Sequence, residues 1–407
     1  MKKILVFSLT YYPNPVGGAE VAIKEITDRI GSTDIEFHMV CLRFDRTLPK
    51  VEKIGNVLVH RIGFSKLNPT TDDHKKFPLH LNKYFFQFTA ALKAINLHRI
   101  YHYDGIWAMM AHSTGVPAVI FKIFYPNVGY TLTLQEGDPI SYIEKTVRPL
   151  WPLFIRAFAR ADVVQAISSF LGVWARTRGF KGPLEIIPNG ASLPASDNYS
   201  ATEIKELKEK YGKKEGDIYI VTVSRLVEKN AVDDIIRALP LLPQNIKALI
   251  VGGGPDEEML KQLAQELGVS DRVRFTGQVD RKQTAECRMI SDIFARPSRS
   301  EGMGNSFASA MASRIPIIAT QEGGLADFIF DAKRNPDKET TAWVVDKDNP
   351  AQIAEAVKDI LAHPEQVKKV VATAYKLVSE KYNWDFIARD MRSKVFNQSF
   401  AISHASQ

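Results

Sequence analysis

The sequence predicts an α/β protein of two doubly wound parallel-sheet domains facing a central cleft. Three observations carry that expectation. The 407 residues suffice for two or three domains, each able to bury a full core without staples. Short β-branched runs alternate with amphipathic stretches of helical length, and strands that are apolar throughout need cover on both faces. One Pro/Gly/Ser/Asn-rich bridge, "IIPNGASLPASDN", interrupts the alternation, which then restarts.

In order, the first series reads "ILVFS" then "AEVAIKEITDRI", "DGIWAMM" then "TGVPAVIFKIF", "VGYTLTL", and "ADVVQAIS" then "SFLGVWARTRG". The opening "MKKILVFSLTYYP" is an apolar run of strand length with no small-residue cleavage site after it, so it is read as a first strand. Beyond the bridge come "IYIVTVS", "AVDDIIRALPLL", "KALIVGG", "DEEMLKQLAQELG", "RVRFTG", "RKQTAECRMI", "DIFARPS", "GNSFASAMAS" and "IPIIAT". From about Pro350 the pattern is purely helical. This places a first domain at residues 1–193 and a second at 194–375, with helices over 376–407. Apolar stretches are broken well before the ~18 residues a bilayer span needs, so a soluble chain is expected.

Charge is unevenly distributed. Residues 1–193 carry 23 Lys and Arg against 15 Asp and Glu, a net +8, while residues 194–407 carry 30 against 31, a net −1. Such asymmetry attracts phosphates, anionic lipid surfaces or nucleic acid. Nucleic acid is set aside, because no zinc-finger spacing, RRM aromatics or basic heptad helix accompanies the charge. The two cysteines, Cys41 and Cys287, lie far apart without CxxC or His-rich company, which indicates neither a disulfide framework nor a zinc site. A reducing, cytoplasmic setting follows as the expectation, with peripheral contact at the inner membrane face as its extension.

In open α/β sheets anionic ligands bind where strand carboxyl ends meet helix N-termini, since peptide N–H groups and the helix dipole favour negative charge there. Four such corners stand out. In "YYPNPVGGAE", Gly17 and Gly18 let backbone amides approach a phosphate, although a structural loop reads the same way. In "VSRLVEKN", Arg225 and Lys229 offer a planar fork and a point charge four residues apart, suited to a diphosphate or simply solvated. "IVGGGPDEE" imitates a dinucleotide fingerprint but puts Glu257 where the third glycine belongs. The fourth, "SRSEGMGNSFASAMA", sets one carboxylate, Glu301, with Gly302 and Gly304 at a strand-to-helix corner.

These corners, in this order, resemble the family-4 retaining glycosyltransferases of the GT-B fold, in which two Rossmann-like domains face a cleft, over nearly the whole chain. The stretches that carry the resemblance are "GGAE", "IIPNG", "SRLVEKN", "VGGGP", "RFTGQV", "SRSEGMGNSFASAMASRIPIIAT", "EGGLADFI" and "NWDFIA". The resemblance implies that Glu301 holds a donor-sugar hydroxyl and that amides around Gly304, Asn305 and Ser306 meet the sugar and the phosphate beneath it. It implies that Arg225 and Lys229 clamp the leaving diphosphate in place of a divalent metal, and that residues 277–279, ending at Val279, cup the nucleobase. Gly17, Gly18, Ser224, Gly302 and Met303 are placed against the donor in the same way, and the final helices are expected to cross back to the first domain.

Two positions depart from the family pattern. A second glutamate is expected eight residues after the first, where it receives both ribose hydroxyls; this chain has Ser309, with Glu322 as a substitute. A first-domain histidine of a TxH sequence is replaced by Gln135, followed by Glu136, and His112 is either an alternative or a structural histidine. The resemblance implies transfer of a hexosyl unit from a GDP- or UDP-linked sugar to an acceptor hydroxyl in glycan, glycolipid or polysaccharide synthesis, with no prosthetic group and no metal. A non-catalytic nucleotide-sugar-binding protein and an NAD(P)-dependent oxidoreductase are the competing readings. The aromatics of "LNKYFFQFTAALKAI" at 81–95 are read as core, with a groove for a lipid-linked acceptor as the alternative.

Overall fold

The computed structural model describes residues 1–13, 16–70, 73, 76–191 and 199–405. It forms two compact units, Met1–Asn189 with Trp384–Gln407, and Gly190–Asn383. The expected boundary between residues 193 and 194 lies outside the described residues.

Among the described residues the first unit has eight strands: β1 (Lys2–Phe7), β2 (Ile35–Leu42), β3 (Val51–Ile54), β4 (Val57–Ile62), β5 (Gly105–Met109), β6 (Gly129–Leu134), β7 (Val163–Ala166) and β8 (Leu184–Ile186). Their spatial order is β3-β4-β2-β1-β5-β6-β7-β8, antiparallel only between β3 and β4. The apolar runs seen in the sequence are buried throughout: no residue of β5, β6 or β7 is more than slightly exposed, as a sheet covered on both faces requires.

Helix Asn82–Tyr101 corrects the core reading of its aromatics. At 100° per residue only one stripe of a helix can face the sheet, and here Phe86, Ala90, Ala91 and Ala94 fill it. Tyr84 (73% exposed), Phe85, Phe88 and Leu92 point to solvent.

The C-terminal segment belongs to this unit. Helix Trp384–Asp390, a π-helical stretch Met391–Phe396 and helix Asn397–Ala405 run in succession. Phe396 meets Trp107 of β5 and Phe37 of β2 at ring separations of 5.1 and 6.0 Å. Arg392 grips Asp34 with two bonds of 2.6 and 2.7 Å. The return begins at Trp384, not at residue 376, because helix Pro364–Lys381 is continuous and buries Val370, Ala374 and Val378 within the second unit.

Among the described residues the second unit has six parallel strands: β9 (Ile218–Val223), β10 (Ile246–Val251), β11 (Val273–Phe275), β12 (Ile293–Arg296), β13 (Ile317–Ala319) and β14 (Trp343–Val344). Their order is β11-β10-β9-β12-β13-β14. The winding direction reverses between β9 and β12, and in the first unit between β1 and β5. Both reversals open a crevice at the strand carboxyl ends.

Candidate active site

In the second unit the crevice brings two of the predicted corners together. The loop after β9 carries Ser224, Arg225 and Lys229; the loop after β12 carries Glu301 and runs into helix Asn305–Ala312. Neighbouring strands make these loops neighbours, and the Arg299 amide donates to the Lys229 carbonyl at 2.7 Å.

The β9 loop is fixed from behind. Arg299 forms a two-bond fork on Asp233, at 2.9 Å each, and donates to the Glu228 carbonyl at 2.6 Å. The Asp233 bonds push the Arg299 guanidinium above its ordinary range, and burial raises the adjacent Asp234 carboxyl to about 6. Arg225 is exposed, and its guanidinium makes no hydrogen bond or ion pair among the described residues. A cation held on a braced loop without a protein partner is suited to an incoming anion.

The "VGGGP" glycines serve this loop. A Cβ at Gly252 or Gly254 would lie 2.0 or 2.1 Å from the carbonyl oxygens of Ser224 or Leu226. They are consumed by backbone packing, which accounts for the stretch without a dinucleotide. Gly277 accepts from the Gly252 amide at 3.1 Å, and Val279, half-buried, lies two residues on.

Glu301 is 8% exposed and is held by Arg296, the last residue of β12, whose Nη2 donates to Oε2. Its Oε1 accepts from the Gly302 amide at 3.2 Å, and its carbonyl accepts from the Gly324 amide at 3.0 Å. One lone pair remains on each carboxylate oxygen, enough for sugar hydroxyls. Gly304, at φ +85°, caps the following helix; a Cβ there would strike the Phe307 ring at 2.5 Å. Among the described residues no side chain caps this helix and no acidic residue lies in its first turn, so the positive end of the helix dipole is not offset by a local carboxylate. Met303 is buried at 2% exposure.

Ser309 stands one turn into the helix, half-buried, and donates to the Asn305 carbonyl at 2.9 Å. Glu322, the proposed substitute, pairs instead with Lys347 at 3.6 Å.

In the first unit, three predicted residues converge at the carboxyl ends of β5 and β6. His112 lies in the first turn of helix Ala111–Phe124, with Nδ1 3.4 Å from Glu136 Oε1 and Nε2 2.9 Å from Ser113 Oγ. Glu136 is 2% exposed and its Oε2 has no partner among the described residues. Gln135 and Asn189 exchange amide hydrogen bonds of 3.0 and 3.1 Å. The Gly17 corner is closed by its own acid: Glu20 accepts from the Gly17 amide at 2.8 Å and from Thr10 Oγ1 at 2.5 Å. Gly18 opens the helix Gly18–Arg29 behind it.

Sequence reading missed Arg296, Asn230, Ser113 and Asn189. The available signal for Arg296 was a cation ending an otherwise apolar strand, "DIFAR", five residues before Glu301.

Each unit is doubly wound, and in the second unit the loop carrying Arg225 and Lys229 lies beside the corner carrying Glu301 and the N-terminus of helix Asn305–Ala312. The model for "Glycosyl transferases group 1" matches residues 203–377, and that for "Glycosyltransferase Family 4" matches residues 16–193. The chain belongs to the family-4 GT-B glycosyltransferases.

A GDP-mannose-dependent α-(1-6)-phosphatidylinositol monomannoside mannosyltransferase of Mycobacterium tuberculosis is 31% identical over 238 residues, 56% of this chain and 60% of that protein. The chain thus aligns with less than two thirds of that relative's length. An uncharacterised glycosyltransferase of Methanocaldococcus jannaschii is 25% identical over 396 residues, 95% of this chain and 96% of that one. Among solved structures, sucrose-phosphate synthase from Thermosynechococcus elongatus shares the fold with a TM-score of 0.80 at 20% identity, over 98% of this chain and 100% of that one.

Proposed function

We propose that this protein transfers a hexosyl unit from a GDP- or UDP-linked sugar to the hydroxyl of a glycan or lipid-linked acceptor, with anomeric configuration retained. The observation that carries this reading is the meeting of the Arg225/Lys229 loop with the Glu301 corner at one crevice of the second unit. Arg225, Lys229 and the helix amides at Gly304, Asn305 and Ser306 take the diphosphate. Glu301 accepts from a sugar hydroxyl, Val279 and its neighbours cup the base, and Ser309 accepts from one ribose hydroxyl. Gln135, Glu136 and His112 serve the acceptor side.

In the transfer, the bond between C1 and the diphosphate oxygen breaks and a bond from C1 to the acceptor oxygen forms on the same face. The acceptor proton passes to the departing phosphate, so no separate strong base is required. The two cations absorb the charge shed by the leaving group, the task a divalent ion performs elsewhere. A thermal-shift panel of GDP- and UDP-sugars is expected to raise the melting temperature with one donor class, since a ligand bound only by the folded state stabilises it. Transfer from that donor should survive EDTA and fall at least ~10²-fold in Glu301→Ala, as when one oriented polar group is removed from a catalytic site. Donor binding without turnover would favour the non-catalytic reading, and micromolar NADH binding without GDP or UDP binding the oxidoreductase.

The exposed face of helix Asn82–Tyr101 supports a lipid-linked acceptor presented by an anionic bilayer. Tyr84, Phe85, Phe88 and Leu92 lie outward on a helix whose charged residues, Lys83, Lys93 and Arg99, are all cations. Apolar and basic side chains together favour an anionic interface. No helix among the described residues is long and apolar enough to cross a membrane. Sedimentation with phosphatidylglycerol vesicles should carry the protein down, and a Phe85→Ser/Phe88→Ser variant should lose at least three-quarters of that binding. Equal binding to pure phosphatidylcholine, or an unaffected variant, would refute the surface.

A further inference from the structure

We propose that Arg296 is a positioning residue for sugar transfer: a buried guanidinium that sets the Arg225/Lys229 loop relative to Glu301 and so governs how the sugar, rather than the nucleotide, is held. The proposal rests on the transferase reading above. Arg296 is 8% exposed and ends β12 at the switch point. Its Nε donates to Ser298 Oγ at 3.1 Å, Nη1 to the Val223 carbonyl at 3.4 Å and to Ser306 Oγ at 2.6 Å, and Nη2 to Asn230 Oδ1 at 3.2 Å and to Glu301 Oε2.

A guanidinium has five N–H donors, and all five are engaged here within the protein. Arg296 therefore has none left for a phosphate, in contrast to the exposed Arg225.

Its partners come from each part of the site. Ser306 lies in the first turn of the helix whose amides meet the phosphate, and Glu301 is the sugar carboxylate. Asn230 is the far end of the cation loop, and its Nδ2 donates to the Arg225 carbonyl at 2.6 Å. One chain of hydrogen bonds thus runs from the backbone of Arg225 through Asn230 and Arg296 to Glu301. The guanidinium also lies 5.1 Å from the centre of the Phe307 ring, the ring that Gly304 leaves room for. A lysine preserves the charge but not the planar fork, and one nitrogen cannot serve partners on three segments.

The test compares Arg296→Lys and Asn230→Ala with wild type. It uses calorimetric titration with GDP and UDP, titration with the matching nucleotide sugar, and kcat and KM for transfer. For Arg296→Lys the nucleoside diphosphate affinity should stay within about 3-fold of wild type while kcat falls at least ~10-fold, because misplacing a substrate-orienting group penalises the reaction more than binding. Asn230→Ala, which removes one link and leaves the arginine in place, should shift kcat the same way by a smaller factor; it decides the matter if the lysine variant does not fold. Unchanged kcat in both variants, or equal losses in nucleotide and nucleotide-sugar affinity, would overturn the proposal. If wild type transfers no sugar, the transferase reading fails by itself. The positioning role is then read from binding alone, as a ~10-fold loss confined to the nucleotide sugar.

Discussion

At Ser309 the hydroxyl proton is already committed to the Asn305 carbonyl, leaving only oxygen lone pairs to offer a ligand. A glutamate there would accept two hydroxyls in bidentate fashion, and charged hydrogen bonds are worth about 1.5–3 kcal/mol each. Ser309→Glu is therefore expected to tighten nucleoside diphosphate binding by at least ~10-fold, measured by calorimetry; unchanged affinity would show that the ribose lies elsewhere. The side chains decisive for Glu301 are less visible in the sequence than Glu301 itself. A carboxylate followed by two glycines, Gly302 and Gly304, at a strand-helix corner draws attention to itself. An arginine at the end of "DIFAR" reads as a strand terminus, because its five partners come from positions as distant as Val223 and Ser306. Likewise nothing local in "TLTLQEGDP" shows that Gln135 is engaged by Asn189, 54 residues away.

Among the elements, helix Asn305–Ala312 depends on its first turn. Gly304 holds φ +85° and makes room for the Phe307 ring, so Gly304→Ala combines left-handed strain with a steric overlap. The variant should lose about 2–3 kcal/mol of stability in urea unfolding, and donor affinity should fall with it, since the same turn presents the amides. Strand and helix positions were legible because their apolar periods differ; "DIFARPS" and "GNSFASAMAS" contain the strand Ile293–Arg296 and the helix Asn305–Ala312. The orientation of helix Asn82–Tyr101 was not legible, because Phe85, Phe86 and Phe88 are equivalent as composition and only the position of the sheet decides which is buried.

For the whole molecule, stability should depend on pH through a buried imidazole pair in the first unit. His60 is 4% exposed, neither ring nitrogen has a partner among the described residues, and its ring centre lies 5.6 Å from that of His38. Burial, then the neighbouring His38 and Lys93, bring His60 down to about 4 from its ordinary 6.5, and burial also lowers His38. Glu36, bonded to His38 Nε2 at 2.8 Å, acts in the opposite direction on that ring. The unfolded chain binds the His60 proton more readily than the folded one, so stability is full above about 6.5 and declines as the pH falls toward about 4. The loss from His60 is on the order of 3 kcal/mol. Urea midpoints measured between pH 7 and 4 should fall in wild type and fall less in His60→Phe; parallel curves would exclude the pair as the cause.

The last helices have a consequence for biosynthesis. Residues 190–383 are contiguous, whereas the other unit needs Trp384, Met391 and Phe396 beside β2 and β5 before its core closes. On the ribosome, the half made first is therefore completed last. Its apolar surface around Trp107 waits while nearly two hundred further residues emerge and their own unit folds. This interval is when chaperones have most to cover, and a stop codon just before Trp384 would leave that interval permanent.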